Sequence, residues 1–192
     1  MDRILRRRDA LRAKLAAEKV AALLVVDPTN VAYLTGFTGD STYLIVARDR
    51  EVAISDGRFT TQLEQECPGL EAYIRPNTQG MTAAVAEVAG KLGVASLGFE
   101  AAHLTVAEHL KLRDEWKTAE LAPTTELVES LRQIKDDAEV AAIREAVAIA
   151  QDAFLRLKGE LKAEESEKDV ADRLEAHMRA LGATGTSFPT IV

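Results

Sequence analysis

The sequence predicts an α/β fold, a mixed sheet flanked by helices, followed by a mostly helical segment. Three patterns carry that expectation. A continuous apolar run at residues 22–26 reads as a strand buried on both faces. Two runs rich in β-branched residues, 42–47 and 51–55, flank the polar corner Arg48-Asp49-Arg50 and read as a hairpin, which makes the sheet mixed rather than purely parallel. Beyond the hairpin, strand-like and helix-like segments alternate as far as residue 121, the pattern of helices layered on a sheet.

In chain order, Ile4, Leu11 and Leu15 recur at helical spacing and predict an amphipathic first helix with its arginines and lysines solvated. The strand at 22–26 follows and ends at a turn, Asp27-Pro28. Gly36 and Gly39 predict a tight turn that needs positive φ. After the hairpin, Gly57-Arg58-Phe59 opens a helix that runs to residue 65 and stops at Cys67-Pro68-Gly69. Residues 70–74 read as a strand, 81–92 as an Ala-rich helix, 96–99 as a strand, 106–115 as a helix and 118–121 as a strand.

Composition shifts at Ala122-Pro123-Thr124-Thr125, so a first domain is expected over 1–124, a linker over 125–135 and the start of a second domain over 136–192. In the second, Val140, Ile143, Val147, Ala150, Phe154 and Leu157 mark one face of a helix from about 138 to 158, capped by Asp136 or Asp137. Val170, Leu174, Met178 and Leu181 mark another, closed by Gly182. A terminal strand at 186–192 completes the reading. The apolar stripe of the longer helix needs a sheet to cover it, so this second domain is expected to be incomplete.

Charge and composition exclude several classes. A net charge of −7 gives no basic face for nucleic acid. No apolar run approaches a membrane span, and the basic N-terminus lacks the apolar core of a signal peptide. The lone Cys67 cannot form an intrachain disulfide and suits a reducing cytoplasm. No basic cluster lies near it in sequence to activate the thiol, so a structural role is expected.

Candidate chemistry is sparse. His103 and His109 are six residues apart, a spacing that puts them on different faces of a helix, and His177 stands in no metal-ligand motif. All three read as ordinary surface or partly buried histidines. Asp136 and Asp137 are better explained by helix capping than by paired acid–base work, and Trp116 by half-buried packing. There is no G-x-S-x-G elbow, P-loop or dinucleotide fingerprint. Spacing alone yields no catalytic constellation.

Two stretches take the reading further. Asp27-Pro28-Thr29-Asn30-Val31-Ala32-Tyr33-Leu34-Thr35-Gly36-Phe37-Thr38-Gly39-Asp40-Ser41, followed by Ser55-Asp56-Gly57-Arg58-Phe59, resembles the N-terminal domain of Xaa-Pro peptidases, the family of aminopeptidase P and prolidase, with creatinase as a relative. Ser55 and Phe59 stand where that pattern usually has Thr and Tyr. The stretch from Leu127 to Lys135 resembles the family's domain junction, and Ser187-Phe188-Pro189-Thr190-Ile191-Val192 its first catalytic-domain strand.

The resemblance implies a creatinase/prolidase-like N-terminal domain followed by the first helices and strand of a pita-bread metallopeptidase domain. It implies cleavage of the bond before proline by two divalent ions, manganese or cobalt, whose ligands in the family all lie beyond the strand matching 187–192. No metal ligand or catalytic residue is therefore assigned here, and this segment alone is expected to bind no metal pair and to be inactive. The implied partners are proline-containing peptides and a homodimer or higher homo-oligomer, in the cytoplasm, with no nucleic acid and no membrane. The family's loop after Tyr-Leu-Thr-Gly-Phe often lies at a subunit interface facing the neighbour's cleft. By that resemblance Phe37 and Asp40 are candidate substrate-binding residues, an aromatic wall and an acceptor for a free α-amino group. The alternative is that Phe37 is core and Asp40 caps a turn. Other readings are a creatinase-like amidinohydrolase and a non-catalytic peptide-binding or dimerisation module.

Overall fold

The computed structural model describes residues 3–117 and 120–192. The chain divides into two compact units, Met1–Ile134 and Lys135–Val192.

The first unit is built on six strands: β1 (Ala22–Val25), β2 (Tyr43–Ala47), β3 (Glu51–Asp56), β4 (Glu71–Arg75), β5 (Ser96–Glu100) and β6 (Glu120–Thr124). Their order is β4-β3-β2-β1-β5-β6. The β1–β2 and β2–β3 pairs are antiparallel, while β3–β4, β1–β5 and β5–β6 are parallel, so the sheet is mixed. The last strand begins at Glu120 and carries Pro123 on its way to Thr124, later than the sequence suggested; Thr118 lies outside the described residues. Pro123 is tolerated because β6 is an edge strand with one side free of ladder bonds.

Strand periodicity explains the unbroken apolar run of β1. Ala22 and Leu24 point into one core with α4 (Met81–Lys91) and α5 (Val106–Glu115). Leu23 and Val25 point into a second core on the opposite face. That face is covered by α1 (Arg3–Ala17), α2 (Pro28–Thr35), α3 (Thr60–Glu66) and α6 (Glu129–Gln133). A helix on each side of a strand leaves no polar face for it to present.

Two further features, both at α2, differ from expectation. The turn at Asp27-Pro28 is the start of α2: Asp27 accepts from the Asn30 N–H at 3.1 Å and Pro28 occupies the first turn, where a missing N–H costs nothing. The arginines of α1 are not all solvated. Arg8 is buried, donates to the Leu34 carbonyl at 2.8 Å and pairs with Glu51, and Arg7 donates to the Tyr33 carbonyl at 3.0 Å. The last carbonyls of α2 have no partners within their helix, and these guanidinium groups satisfy them.

Of residues 125–135, expected as a linker, 125–134 pack into the first unit. Val128 is fully buried in the second core, with Leu127 and Leu131 against it.

In the second unit, α7 (Asp137–Glu160) and α8 (Glu167–Ala180) pack on each other. Both begin with reciprocal capping boxes, Asp136 with Glu139 and Ser166 with Asp169. Residues 186–192, expected as a strand, form none, because no other segment offers them a ladder partner among the described residues. No helix among the described residues is long and apolar enough to cross a membrane.

Candidate functional site

The two motif stretches, separated by the hairpin in sequence, form one surface. Gly36 closes α2 at φ +84°, a left-handed conformation that only glycine adopts without strain, and its N–H donates to the Ala32 carbonyl. The Phe37 N–H then donates to the Thr35 hydroxyl at 3.0 Å, which drives the Phe37 ring inward. That ring meets Phe59 edge-on, with centroids 5.7 Å apart at 86°. Gly39 crosses above the pair so closely that a Cβ there would lie 2.4 Å from the tip of the Phe37 ring. Thr38 ties the loop to α3 through its N–H and hydroxyl, which donate to Glu66 at 2.7 and 2.8 Å; the backbone bond is the main reason the Glu66 carboxyl titrates below its usual range.

Beneath the second motif, Asp56 is buried and accepts from the Arg58 N–H and, at 2.9 Å each, from both arms of its guanidinium. Arg75 donates to the same carboxylate at 3.2 Å. These contacts, the Arg58 side-chain bond first, hold the Asp56 carboxyl down to about 2. The buried carboxylate thus orients an arginine whose side chain is 68% exposed. The field of Asp40 acts on Arg58 in turn, so acid and base stand near one another on the surface.

Phe37 is 1% exposed and belongs to the core, so the expected aromatic wall does not face solvent. The physical reason is the Thr35 and Gly36 geometry, which turns the ring under the loop rather than out of it. Asp40 is exposed. The loop brings the two together in chain position but presents only one of them.

The other end of α2 carries a polar cluster that sequence reasoning missed. Glu100, at the end of β5, is 5% exposed, and Asn30 is fully buried beside it. Burial pushes the Glu100 carboxyl up. Glu129 of α6, although partly desolvated, is held below its usual range by hydrogen bonds including one from Asn30. His103 is not on a helix with His109: it sits in the turn before α5, with Nε2 3.4 Å from Glu129. A cavity of roughly 260 Å³ opens here, lined by Glu100, His103, Thr124, Glu126 and Glu129 among others. The one legible signal was an acid, Glu100, closing a strand directly after Leu97-Gly98-Phe99.

The remaining candidates hold structural positions. His109 packs on the Phe99 ring at 5.0 Å, and His177 hydrogen-bonds Glu160 at 2.9 Å. Cys67 is buried, donates to the Thr35 carbonyl at 3.4 Å and has its thiol pushed up by burial. Trp116 is half-buried against the α4–α5 core. Among the described residues no three His, Cys, Asp or Glu side chains gather to hold a metal.

Comparisons with known proteins follow the same division. Residues 7–134 match the creatinase/prolidase N-terminal domain, and residues 141–192 match metallopeptidase family M24. The chain is 35% identical over 173 residues to the uncharacterized peptidase YqhT of Bacillus subtilis, covering 90% of this chain and 48% of that protein. It superposes on the Xaa-Pro dipeptidase from Bacillus anthracis with a TM-score of 0.90 and 30% identity, over 96% of this chain and 51% of that one. The N-terminal domain of the cytoplasmic peptidase PepQ from Mycobacterium tuberculosis matches 65% of this chain and 97% of its own length, with a TM-score of 0.61 and 37% identity. The chain spans about half the length of the curated relatives it matches.

Proposed function

The chain belongs to the creatinase/prolidase N-terminal domain family, and from that premise we propose that it is the N-terminal part of a Xaa-Pro metallopeptidase that cleaves the peptide bond before proline. One observation carries this reading. A creatinase/prolidase domain and the opening of an M24 metallopeptidase domain follow one another along the chain, in a fold that superposes on a Xaa-Pro dipeptidase over nearly its whole length.

On this reading the complete enzyme would hold two divalent ions, manganese or cobalt, which would supply Lewis acidity and an activated water. No step through those metals is assigned to this chain's residues, and on this reading the segment by itself is inactive. Its own contribution is to shape and position. The Phe37–Phe59 pair and the Thr38–Glu66 bonds hold the loop at 36–41, and Asp40 offers a carboxylate to the α-amino group of a short proline-containing peptide. That role places the loop beside the cleft of a partner subunit in a homo-oligomer. A cytoplasmic setting fits the lone, buried Cys67 and the naming of PepQ as cytoplasmic.

The test is an assay of the full-length protein, reconstituted with manganese or cobalt, against Xaa-Pro dipeptides, Xaa-Pro-containing tripeptides and creatine. Release of the residue before proline is expected. Turnover of creatine alone would assign an amidinohydrolase, and binding of proline peptides without turnover would assign a non-catalytic module.

A further inference from the structure

The cluster at the N-terminal end of α2 is a donor–acceptor circuit centred on one amide. Asn30 Nδ2 donates to Glu100 Oε1 at 2.7 Å and to Glu129 Oε1 at 2.6 Å, and Asn30 Oδ1 accepts from Arg132 Nη1 at 2.8 Å. Both amide hydrogens are therefore spent on carboxylates from different elements, β5 and α6. Glu100 Oε2 is already occupied by two backbone donors, the N–H groups of Val26 at 2.7 Å and Asp27 at 2.9 Å. The same amide holds α6 from two sides, through Glu129 and through Arg132.

This arrangement is strongest while Glu100 is ionised, because all three donors then meet a charged acceptor. A proton on Glu100 Oε2 would face two N–H groups, so Oε1 is the better place for it, and there it competes with the Nδ2 hydrogen of Asn30 and weakens the bond that Asn30 makes. Turning the amide over would let Oδ1 accept that proton. It would also set Oδ1 against Glu129 Oε1 and Nδ2 against Arg132, breaking both holds on α6. With Asn30 fully buried, water cannot replace the partners that its own amide would lose.

We propose that Asn30 couples the protonation of Glu100 to the docking of α6, so that α6 loosens from the first unit when Glu100 gains a proton. Burial, which favours the neutral acid, brings that event toward milder pH. The other charged groups facing the cluster are accounted for. Asp27 caps α2 and lies 3.9 Å from Arg132; its other oxygen is 4.0 Å from His103. Glu126 lines the adjoining cavity. His103 faces Glu129, and a cationic His103 would hold α6 more tightly, opposing the release rather than causing it. α6 is the last element before the second unit begins at Lys135.

Hydrogen exchange on this chain tests the proposal. Protection factors, corrected for intrinsic rates, are measured for the α6 amides and for those of β2 between pH 7.5 and 5. The α6 protection is expected to fall about tenfold on acidification while β2 holds. Glu100→Gln, which carries a donor in place of the ionised oxygen, should show the low α6 value already at pH 7.5 and no further dependence on pH. A parallel loss in α6 and β2, a pH-independent α6, or a pH step that survives in Glu100→Gln would each overturn the proposal. Should that variant fail to fold, the wild-type protein decides: the Glu100 carboxyl resonance must titrate at the midpoint of the α6 loss, and a different midpoint refutes the coupling.

Discussion

Phe59 meets Phe37 edge to face, and that contact between residues more than twenty positions apart joins the two sequence motifs into one surface. The loop between Gly36 and Ser41 is held by this aromatic base, by Thr38 on Glu66 and by Gly39 lying against the ring. What reaches solvent is selected by that packing: Asp40 and Arg58 outside, Phe37 inside.

Removing the aromatic base should cost much of the stability of the first unit. Phe37→Ala is expected to destabilise it by about 3–5 kcal/mol, the usual range for a buried phenylalanine. Phe37→Leu, which refills most of the volume, should cost less. Urea unfolding reads both, and a loss below about 1 kcal/mol for the alanine variant would place the ring outside the core.

Gly39→Ala tests the close approach. The new methyl would lie 2.4 Å from the Phe37 ring tip, which cannot retreat far into a packed core. A loss of about 1–3 kcal/mol is expected, the usual cost of overpacking. Combining it with Phe37→Leu should recover part of that loss, and strict additivity would show that the two positions do not touch.

Asp40→Ala in the full-length enzyme separates a substrate contact from a turn cap. The side chain is exposed, so the unfolding temperature should stay nearly constant. The KM for Xaa-Pro substrates should rise roughly five- to tenfold, the scale of one exposed charge-assisted bond. Unchanged kinetics, or a clear drop in stability, would return Asp40 to a structural role.

Acid should reveal the Asp56 clamp. Its carboxyl titrates near 2 in the folded chain against an ordinary 3.8, because two arginines favour the charged form. A depressed acid stabilises the fold above its unfolded value and loses that contribution as pH falls through the folded one. Wild type should therefore exceed Asp56→Asn in thermal midpoint at pH 5–7, and the gap should close between pH 4 and 2. A gap that persists unchanged at pH 2 would mean that the carboxylate charge is not what holds Arg58 and Arg75.

Protease sensitivity should follow packing rather than sequence composition. Residues 125–134 are anchored by the buried Val128 and the Asn30 contacts. The turn between α7 and α8, which holds the exposed Lys162, is not part of any helix or strand. Limited trypsin treatment should therefore cut after Lys162 before it cuts after Arg132, and the reverse order would show that α6 is not docked in solution.

How much was legible follows from the range of the interactions concerned. The hairpin at β2–β3, the helices α4, α5, α7 and α8, and a cap at Asp136 or Asp137 were readable because their determinants are local: period-two or period-3.6 patterning, a polar corner, a capping residue ahead of an apolar stripe. Helix α2 was missed because Asp27-Pro28 signals a turn and a helix start with the same two residues.

The site was less legible than the fold. By itself the sequence determined the α/β class, the mixed sheet, the two motif stretches and the family they resemble. Only the tertiary structure decided that Phe37 turns inward, that the arginines of α1 cap the carbonyls of α2, and that residues 125–134 pack rather than link. It alone brought Asn30 to Glu100 and Glu129, partners 70 and 99 residues away. A buried polar group must find its hydrogen bonds wherever the fold supplies them, and no local pattern in a sequence records a partner that distant.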